Sequence, residues 1–288
     1  MTAASWRDAL KRPIFLVSPP RSGSTLLFET LVQSPSLCSI GGESHGLMEG
    51  MAEIHPAAGG WESNRLTAAA ALPDVVEELS RRFAVTVKDR DGARPAAPLR
   101  MLEKTPKNSL RVPFLDAAYP ESTFVYLYRD ARQTLSSMIE AWRSGRFRTY
   151  PRLPGWSGLP WSLLLVPGWR ELIGAPLPRI VAHQWSETTA ILLDDLESLP
   201  AERVRALSYD AFLADPGGVV RALCASLGLE WDRPLGTRLP LSRTTVSEPK
   251  RDKWRENEAD IAAIWPLVAE LDARAAGFAA RFEGLGGG

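Results

Sequence analysis

Residues 13–27 read PIFLVSPPRSGSTLL, and this stretch decides the fold. The apolar run 14–18 predicts a buried strand, and residues 25–33 have the spacing of the helix that follows it. A strand that leads through a short loop into a helix points unsatisfied backbone N–H groups and the positive end of the helix dipole at one spot. The stretch therefore predicts a site for a phosphate group.

The loop itself has the groups that a phosphate needs. Gly23 lets the backbone approach an anion closely. Three hydroxyl groups can donate to its oxygens, and they belong to Ser22, Ser24 and Thr25. Against the nucleoside-triphosphatase template G-x-x-x-x-G-K-[ST], Ser18 replaces the first glycine and Ser24 replaces the lysine that a kinase places on the transferred phosphate. The cation that this loop offers is Arg21.

Outward from the loop, short apolar runs alternate with amphipathic ones, which is typical of an α/β fold with a parallel sheet flanked by helices. Further strands are predicted at 99–103, 123–128 and 203–208. Helices are predicted at 75–87, 131–144, 180–199, 217–227 and 256–282. We interpret residues 1–288 as a single domain with an N-terminal extension at 1–12 and a frayed tail at 284–288.

The composition limits what the chain can bind and where it works. Its 288 residues are 45% hydrophobic, and basic and acidic residues both number 34, so no overall positive field attracts nucleic acid. No apolar run is long enough to span a membrane, and residues 1–12 lack the core of a secretory signal. Cys38 and Cys224 have no metal-ligand spacing. We expect a cytoplasmic protein without a metal.

A second phosphate-binding place is predicted after the third strand. Arg129 stands at the carboxyl end of that strand, and Ser137 lies on the next helix. Ligands of open parallel sheets lie outside the carboxyl ends of the strands, so both side chains can face the same crevice as the first loop. A guanidinium and a hydroxyl suit a second phosphate, although a strand-end arginine can also form a structural ion pair.

These motifs together resemble the 3′-phosphoadenosine 5′-phosphosulfate (PAPS)-dependent sulfotransferases. The resemblance rests on Pro20 to Leu26 paired with Tyr128-Arg129-Asp130 and Ser137. Other elements follow in family order, namely EKTPKN at 103–108, LSYDAFLADP at 207–216, SRTTVSEP at 242–249, and Lys253-Trp254. The resemblance is strongest to the branch of bacterial small-molecule and tyrosylprotein sulfotransferases. In that branch, arginine replaces the loop lysine of the cytosolic enzymes.

The resemblance implies a P-loop-like sulfotransferase fold and a role for each motif. The loop from Arg21 to Leu26 would hold the 5′-phosphosulfate of PAPS, and Arg129 with Ser137 would hold the 3′-phosphate. The product would be adenosine 3′,5′-bisphosphate (PAP). Trp254 would stack on the adenine and Lys253 would meet the 3′-phosphate. Trp254 could instead only anchor the last helix.

Sulfuryl transfer needs cations at the leaving phosphate and a base for the acceptor hydroxyl. We expect Arg21 and Lys104 to be the cations, the latter by resemblance. The base is expected in IGGESH at 40–45, directly after a short predicted strand. Related branches place a glutamate base after the first helix, so Glu43 is preferred, and His45 is the alternative because imidazole suits proton transfer near neutral pH.

Two other functions are compatible with a phosphate loop of this kind. The first is a small-molecule kinase or nucleoside triphosphatase on a similar fold, which the missing loop lysine disfavours. The second is a non-catalytic module that binds PAP, which would leave Arg21, Glu43 and Lys104 without an explanation. We therefore expect a sulfotransferase.

Residues 147–178 break the α/β pattern, and their composition indicates what kind of acceptor the protein binds. They combine prolines with an apolar run and three tryptophans, Trp156, Trp161 and Trp169. Insertions that cover a rigid α/β site commonly determine specificity, so we interpret this one as a lid that binds a small amphiphilic molecule bearing a hydroxyl group. Alternatively, the tryptophans pack the insertion onto the domain, or contact a membrane surface or a second subunit in a homodimer.

Overall fold

A computed structural model of the chain describes residues 5–236, 239–243 and 252–282. Its strands are β1 (Ile14–Val17), β2 (Leu102–Lys104), β3 (Thr123–Tyr128), β4 (Arg148–Tyr150), β5 (Trp161–Ser162) and β6 (Val204–Ser208). Its α-helices are α1 (Trp6–Ala9), α2 (Ser24–Leu31), α3 (His45–Glu49), α4 (Pro73–Thr86), α5 (Val112–Ala118), α6 (Ala131–Ser144), α7 (Leu177–Glu197), α8 (Tyr209–Ala214), α9 (Pro216–Leu227) and α10 (Glu258–Phe282). Short 3₁₀ helices lie at Ala52–Ile54, Pro56–Gly59, Ala68–Ala70, Pro106–Leu110, Trp169–Leu172, Ala201–Arg203 and Lys253–Asn257.

The main sheet is parallel and has the order β2-β1-β3-β6. Strand β1 is central and wholly buried, because its alternating side chains enter two different cores. Phe15 and Val17 face a core with α4, α5 and α10, whereas Ile14 and Leu16 face one with α2 and α9. The structure confirms the predicted α/β fold with helices on both faces of a parallel sheet.

The predicted second strand is shifted toward its carboxyl end. It was expected at 99–103 but pairs with β1 only over Leu102–Lys104, because β1 begins at Ile14 and the register places Ile14 opposite Leu102. Leu99 and Met101 instead form isolated bridges with Leu10 and Cys38. The short strand expected before Glu43 is likewise reduced to isolated bridges at Cys38 and Ser39.

Segment 147–178 packs against α6, α7 and α10 in a third core. Its strands β4 and β5 form a separate antiparallel pair. Helix α7 begins at Leu177, before the predicted residue 180 and inside the predicted end of the insertion. Pro178 lies in its first turn, where the missing N–H has no helical partner to lose.

Two remaining expectations concern the ends of the chain and the membrane. Among the residues that the structure describes, no helix has both the length and the apolar character to cross a bilayer. The expected tail at 284–288 and most of the SRTTVSEP motif lie outside the described residues.

Candidate active site

The loop before α2 has the backbone geometry of an anion site. Gly23 precedes the helix with a φ of 94°, and no side chain caps this end of α2. A Cβ atom on Gly23 would lie 2.2 Å from Cε2 of Tyr209, so the ring of Tyr209 covers the loop closely. Arg21 also has a positive φ, 69°. A strained arginine beside a glycine that admits no side chain is typical of a loop shaped for a ligand.

The hydroxyl groups of the loop have different partners. Ser22 donates to the carbonyl oxygen of Pro19 over 2.9 Å, so its side chain stabilises the loop rather than facing the cavity. Thr25 Oγ1 accepts a hydrogen bond from Lys104 Nζ at 3.0 Å. Ser24 is buried at the first position of α2 and lines the cavity.

A cavity of about 960 Å³ opens at the carboxyl ends of β1, β2 and β3. Its wall contains most of the site residues predicted from the sequence: Arg21, Gly23, Ser24, Thr25, Leu26, Glu43, His45, Lys104, Arg129, Ser137, Lys253 and Trp254. Residues far apart in the chain thus meet around one space, whose volume lies in the range of ligand sites.

Lys104, Glu43 and His45 form a chain of hydrogen bonds on this wall. Lys104 Nζ donates to Glu43 Oε1 at 2.6 Å, and His45 Nε2 lies 2.7 Å from Glu43 Oε2. Burial opposes charge on Glu43, but the hydrogen bond with His45 and the charge of Lys104 outweigh it and lower its pKa to about 2. Glu43 is therefore ionised at neutral pH.

Arg21 and Arg129 crowd positive charge at the other side of the cavity. Arg21 Nε lies 3.3 Å from Ser137 Oγ, and Arg129 Nη1 donates to the Arg21 carbonyl oxygen at 3.1 Å. Burial, and next to it the charge of Arg129, lower the pKa of Arg21 to about 10. Burial also lowers the pKa of Arg129. An anion bound between these guanidinium groups would stabilise both of them.

Aromatic rings hold both arginines in place. The Arg21 guanidinium lies 4.6 Å from the centroid of the Phe147 ring, and that of Arg129 lies 4.7 Å from Tyr209. Gln133 Oε1 accepts from Arg129 Nη2 at 3.1 Å. Neither Tyr209 nor Gln133 was predicted from the sequence. Tyr209 stands inside the LSYDAFLADP motif, which was the available signal, whereas Gln133 had none.

The predicted adenine end also reaches the cavity. Lys253 forms an ion pair with Glu140. Trp254 contacts the guanidinium groups of Arg132 and Arg255, at 5.9 Å and 4.8 Å from its ring centroid. Both residues therefore have structural contacts besides the binding roles predicted for them.

None of the three tryptophans of segment 147–178 lines the described cavity: two lie in the core, and Trp156 is half-buried against it. Trp161 and Trp169 are fully buried, and Trp156 packs edge-on against both. Each indole N–H donates to a backbone carbonyl, those of Leu159, Leu164 and Trp61. The segment contributes other residues to the wall instead, namely Phe147, Arg148, Thr149, Leu163 and Leu164.

A buried ionic cluster that the sequence did not predict forms part of the wall, since Glu49 and Lys107 both line the cavity. Lys107 Nζ donates to the two Glu49 carboxylate oxygens at 2.7 and 2.8 Å and to Tyr150 Oη at 2.7 Å. Arg111 Nη2 donates to Glu49 Oε1 at 2.9 Å. Burial opposes charge on Glu49, but Lys107 and Arg111 hold its pKa below the usual range. The cluster joins β4 to α3 and to the segment after β2.

The comparison with known proteins identifies the family of the chain. The model of the sulfotransferase family matches residues 13–159 and 163–233, which include β1, the loop and the strands that surround the cavity. The chain therefore belongs to the sulfotransferase family. It is 30% identical over 127 residues to a Caenorhabditis briggsae protein named "Putative protein-tyrosine sulfotransferase". That alignment covers 44% of the chain and 42% of the relative, less than half of each.

Solved structures share the fold at low sequence identity. Sulfotransferase STF9 from Mycobacterium avium superposes with a TM-score of 0.52 at 16% identity, over 90% of this chain and 76% of that one. Sulfotransferase STF1 from Mycobacterium tuberculosis H37Rv gives 0.51 at 17% identity, over 92% and 77%. The likeness extends across nearly the whole chain, and it supports the sulfotransferase fold.

Proposed function

We propose that this protein transfers the sulfuryl group of PAPS to a hydroxyl group of a small amphiphilic acceptor. The observation that supports it most is the crowding of Arg21 and Arg129, two half-buried arginines in direct contact, beside a helix end without a side-chain cap. A donor with phosphate groups at both its 5′ and 3′ positions matches two adjacent cationic places better than a mononucleotide does.

Four residues would hold the donor and prepare the reaction. PAPS supplies a sulfuryl group whose bond to the 5′-phosphate breaks as the acceptor oxygen attacks sulfur. Arg21 and Lys104 neutralise charge on the departing phosphate, and Arg129 with Ser137 binds the 3′-phosphate. Lys104 already contacts both Thr25 in the phosphate loop and Glu43, so it connects the proposed donor site to the proposed base.

Glu43 accepts the proton of the acceptor hydroxyl in this proposal. A carboxylate with a pKa near 2 is a weak base, but Lys104 is one cause of that low value. Negative charge placed at Lys104 offsets its effect on Glu43 and raises the carboxylate's pKa. Donor binding thus increases the basicity of Glu43 where it is needed. His45 stays the alternative base, with its Nε2 bonded to Glu43.

The test is transfer itself. Purified protein is incubated with ³⁵S-labelled PAPS and a panel of phenols, aliphatic alcohols, acylated natural products and, in view of the relative's name, a tyrosyl peptide. We expect label in at least one amphiphilic hydroxyl compound. A parallel reaction with ATP and Mg²⁺ tests the kinase alternative. Binding of PAP without transfer to any acceptor would favour the non-catalytic module.

PAP is expected to bind far more tightly than AMP, because only PAP has a 3′-phosphate. Arg129→Ala should weaken PAP binding by about 1.5–3 kcal/mol, the scale of a hydrogen bond to a charged group, and leave AMP nearly unchanged. Isothermal titration calorimetry measures both ligands. Arg170→Ala is the matched control, since Arg170 pairs with Glu62 on the surface. Equal affinities for PAP and AMP would remove the second phosphate site.

Leu163 and Leu164 replace the tryptophans as the proposed apolar contacts of the acceptor. Leu163→Ala should raise the acceptor KM about 5- to 20-fold, because each methylene group removed from water contributes about 0.8 kcal/mol. PAP affinity should not change. Steady-state kinetics with the best acceptor of the panel measure this effect.

Trp161→Ala is the comparison for that experiment. Because Trp161 is fully buried, the substitution should lower the free energy of unfolding by about 3–5 kcal/mol without a specific effect on acceptor KM. If Trp161→Ala raises the acceptor KM of a stable protein and Leu163→Ala does not, the original assignment of the acceptor site to the tryptophans holds.

A further inference from the structure

Thr105 connects the end of β2 to the loop that contains Glu43. Its Oγ1 donates to Glu103 Oε1 at 2.5 Å and accepts from the Ser44 backbone N–H at 2.7 Å. The side-chain oxygen of Ser44, Oγ, also lies 3.1 Å from Thr105 Oγ1. Glu103 Oε2 in turn accepts from Asn108 Nδ2 at 2.6 Å. Glu103, Thr105 and Ser44 are fully buried, so this chain of hydrogen bonds is shielded from water.

The chain runs directly beside the Lys104–Glu43 ion pair. Glu43 forms an ion pair with Lys104, and the next residue in each segment forms the neighbouring contact, in which the Ser44 backbone N–H donates to Thr105. Neither Glu103 nor Thr105 is on the wall of the described cavity. Neither side chain is therefore placed to touch a ligand there, and any effect they have on the reaction must pass through a neighbour.

The loop needs such an anchor. Glu43 follows Gly41 and Gly42, and Gly41 has a φ of 72°. A glycine pair restricts the backbone less than any other residues would, so it cannot define the position of Glu43. The ion pair with Lys104 cannot do so during the reaction either, since Lys104 is the cation expected to serve the leaving phosphate.

We propose that Thr105, oriented by the buried Glu103, is a positioning residue that holds Glu43 at the acceptor through the Ser44 backbone. This inference rests on the proposed role of Glu43 as the base. The hydroxyl of Thr105 is saturated in a defined direction, because it gives its only proton to Glu103 and must accept from Ser44. The bond to Glu103 therefore orients the Thr105 oxygen so that it can accept the hydrogen bond from the Ser44 N–H.

Thr105→Val tests the proposal, because it removes the hydroxyl and keeps the shape. We expect kcat to fall about 10- to 100-fold, since small misplacements of a catalytic group cost up to that much. KM for PAPS and affinity for PAP should stay unchanged. Thr105→Ser restores the hydroxyl and should return kcat to near the wild-type value. Thr188→Val is the matched control, since Thr188 is a buried threonine of α7 that bonds to the Gln184 carbonyl oxygen.

Two further measurements separate positioning from a general structural effect. Amide hydrogen exchange of Ser44, followed by NMR in protein without ligand, should be faster in Thr105→Val and protected in Thr105→Ser. In the double variant Glu43→Gln/Thr105→Val, kcat should equal that of Glu43→Gln alone, because Thr105 acts only through Glu43. If Thr105→Val does not fold, Thr105→Cys gives the same comparison with a weak S–H group.

The possible failures are distinguishable. Wild-type protein that binds PAP but transfers no sulfuryl group contradicts the proposed function. Wild-type transfer together with a Thr105→Val kcat near normal overturns the positioning role alone. A further loss of kcat on top of Glu43→Gln would also overturn it, because Thr105 would then act by a route independent of Glu43.

Discussion

If Glu43 is the proposed base, Glu43→Gln is expected to lower kcat by about two to four orders of magnitude, the usual contribution of a general base, and to change PAP affinity little. The substitution keeps the size of the side chain and its ability to accept from Lys104, but an amide cannot take a proton. Because the base acts on the acceptor hydroxyl, its loss should lower kcat without a matching change in KM. Single-turnover kinetics with labelled PAPS measure the chemical step directly.

Three further variants show whether the effect of Glu43→Gln comes from loss of the base. His45→Ala should retain most activity if Glu43 is the base; an inactive His45→Ala beside a nearly normal Glu43→Gln would make His45 the base. Arg21→Ala should also reduce turnover strongly, and activity that survives it would leave Lys104 as the main cation at the leaving phosphate. Glu53→Gln, on the exposed side of a 3₁₀ helix, is the control for the chemical change.

Glu49→Gln is expected to lower the free energy of unfolding by about 3–5 kcal/mol. Glu49 is the carboxylate that both Lys107 and Arg111 contact, and those two side chains are only 2% and 1% exposed. Removing one partner of a buried ion pair leaves the other charge uncompensated, and here two charges lose their partner. Urea denaturation at pH 7 measures the change, and a loss below 1 kcal/mol would contradict it.

The pH dependence of stability provides an independent check on the same cluster. The pKa of Glu49 is lower in the folded protein than the ordinary value of about 4.3 in the unfolded chain. Its contribution is therefore fully present above that ordinary value and is lost as the pH falls through the folded pKa. Glu49→Gln should lose less stability than the wild type over this acidic range. The double variant Glu49→Gln/Lys107→Met should recover part of the loss at pH 7.

The sequence predicted the parts of the site that follow from local pattern. The run PIFLVSPPRSGSTLL defined β1, the loop and α2, and strand ends placed Arg129 and Lys104 at the same edge of the sheet. The ion pair between Glu49 and Lys107 was not predictable, because partners so far apart in the chain meet only through tertiary packing. The tryptophans of segment 147–178 were assigned to the acceptor from composition, which does not say whether an aromatic side chain faces a cavity or a core.

The contact between Gly23 and Tyr209 restricts how the family can vary at these two positions. Any side chain at position 23 would enter the ring of Tyr209, and that ring also packs on Arg129. A larger residue in the loop would need a smaller one at position 209, which would free the arginine from its aromatic support, and its backbone would still be strained by the φ of 94°. We expect the dependence to be one-sided: a side chain at position 23 excludes a large ring at position 209, whereas a smaller residue at 209 leaves the need for glycine at 23 unchanged.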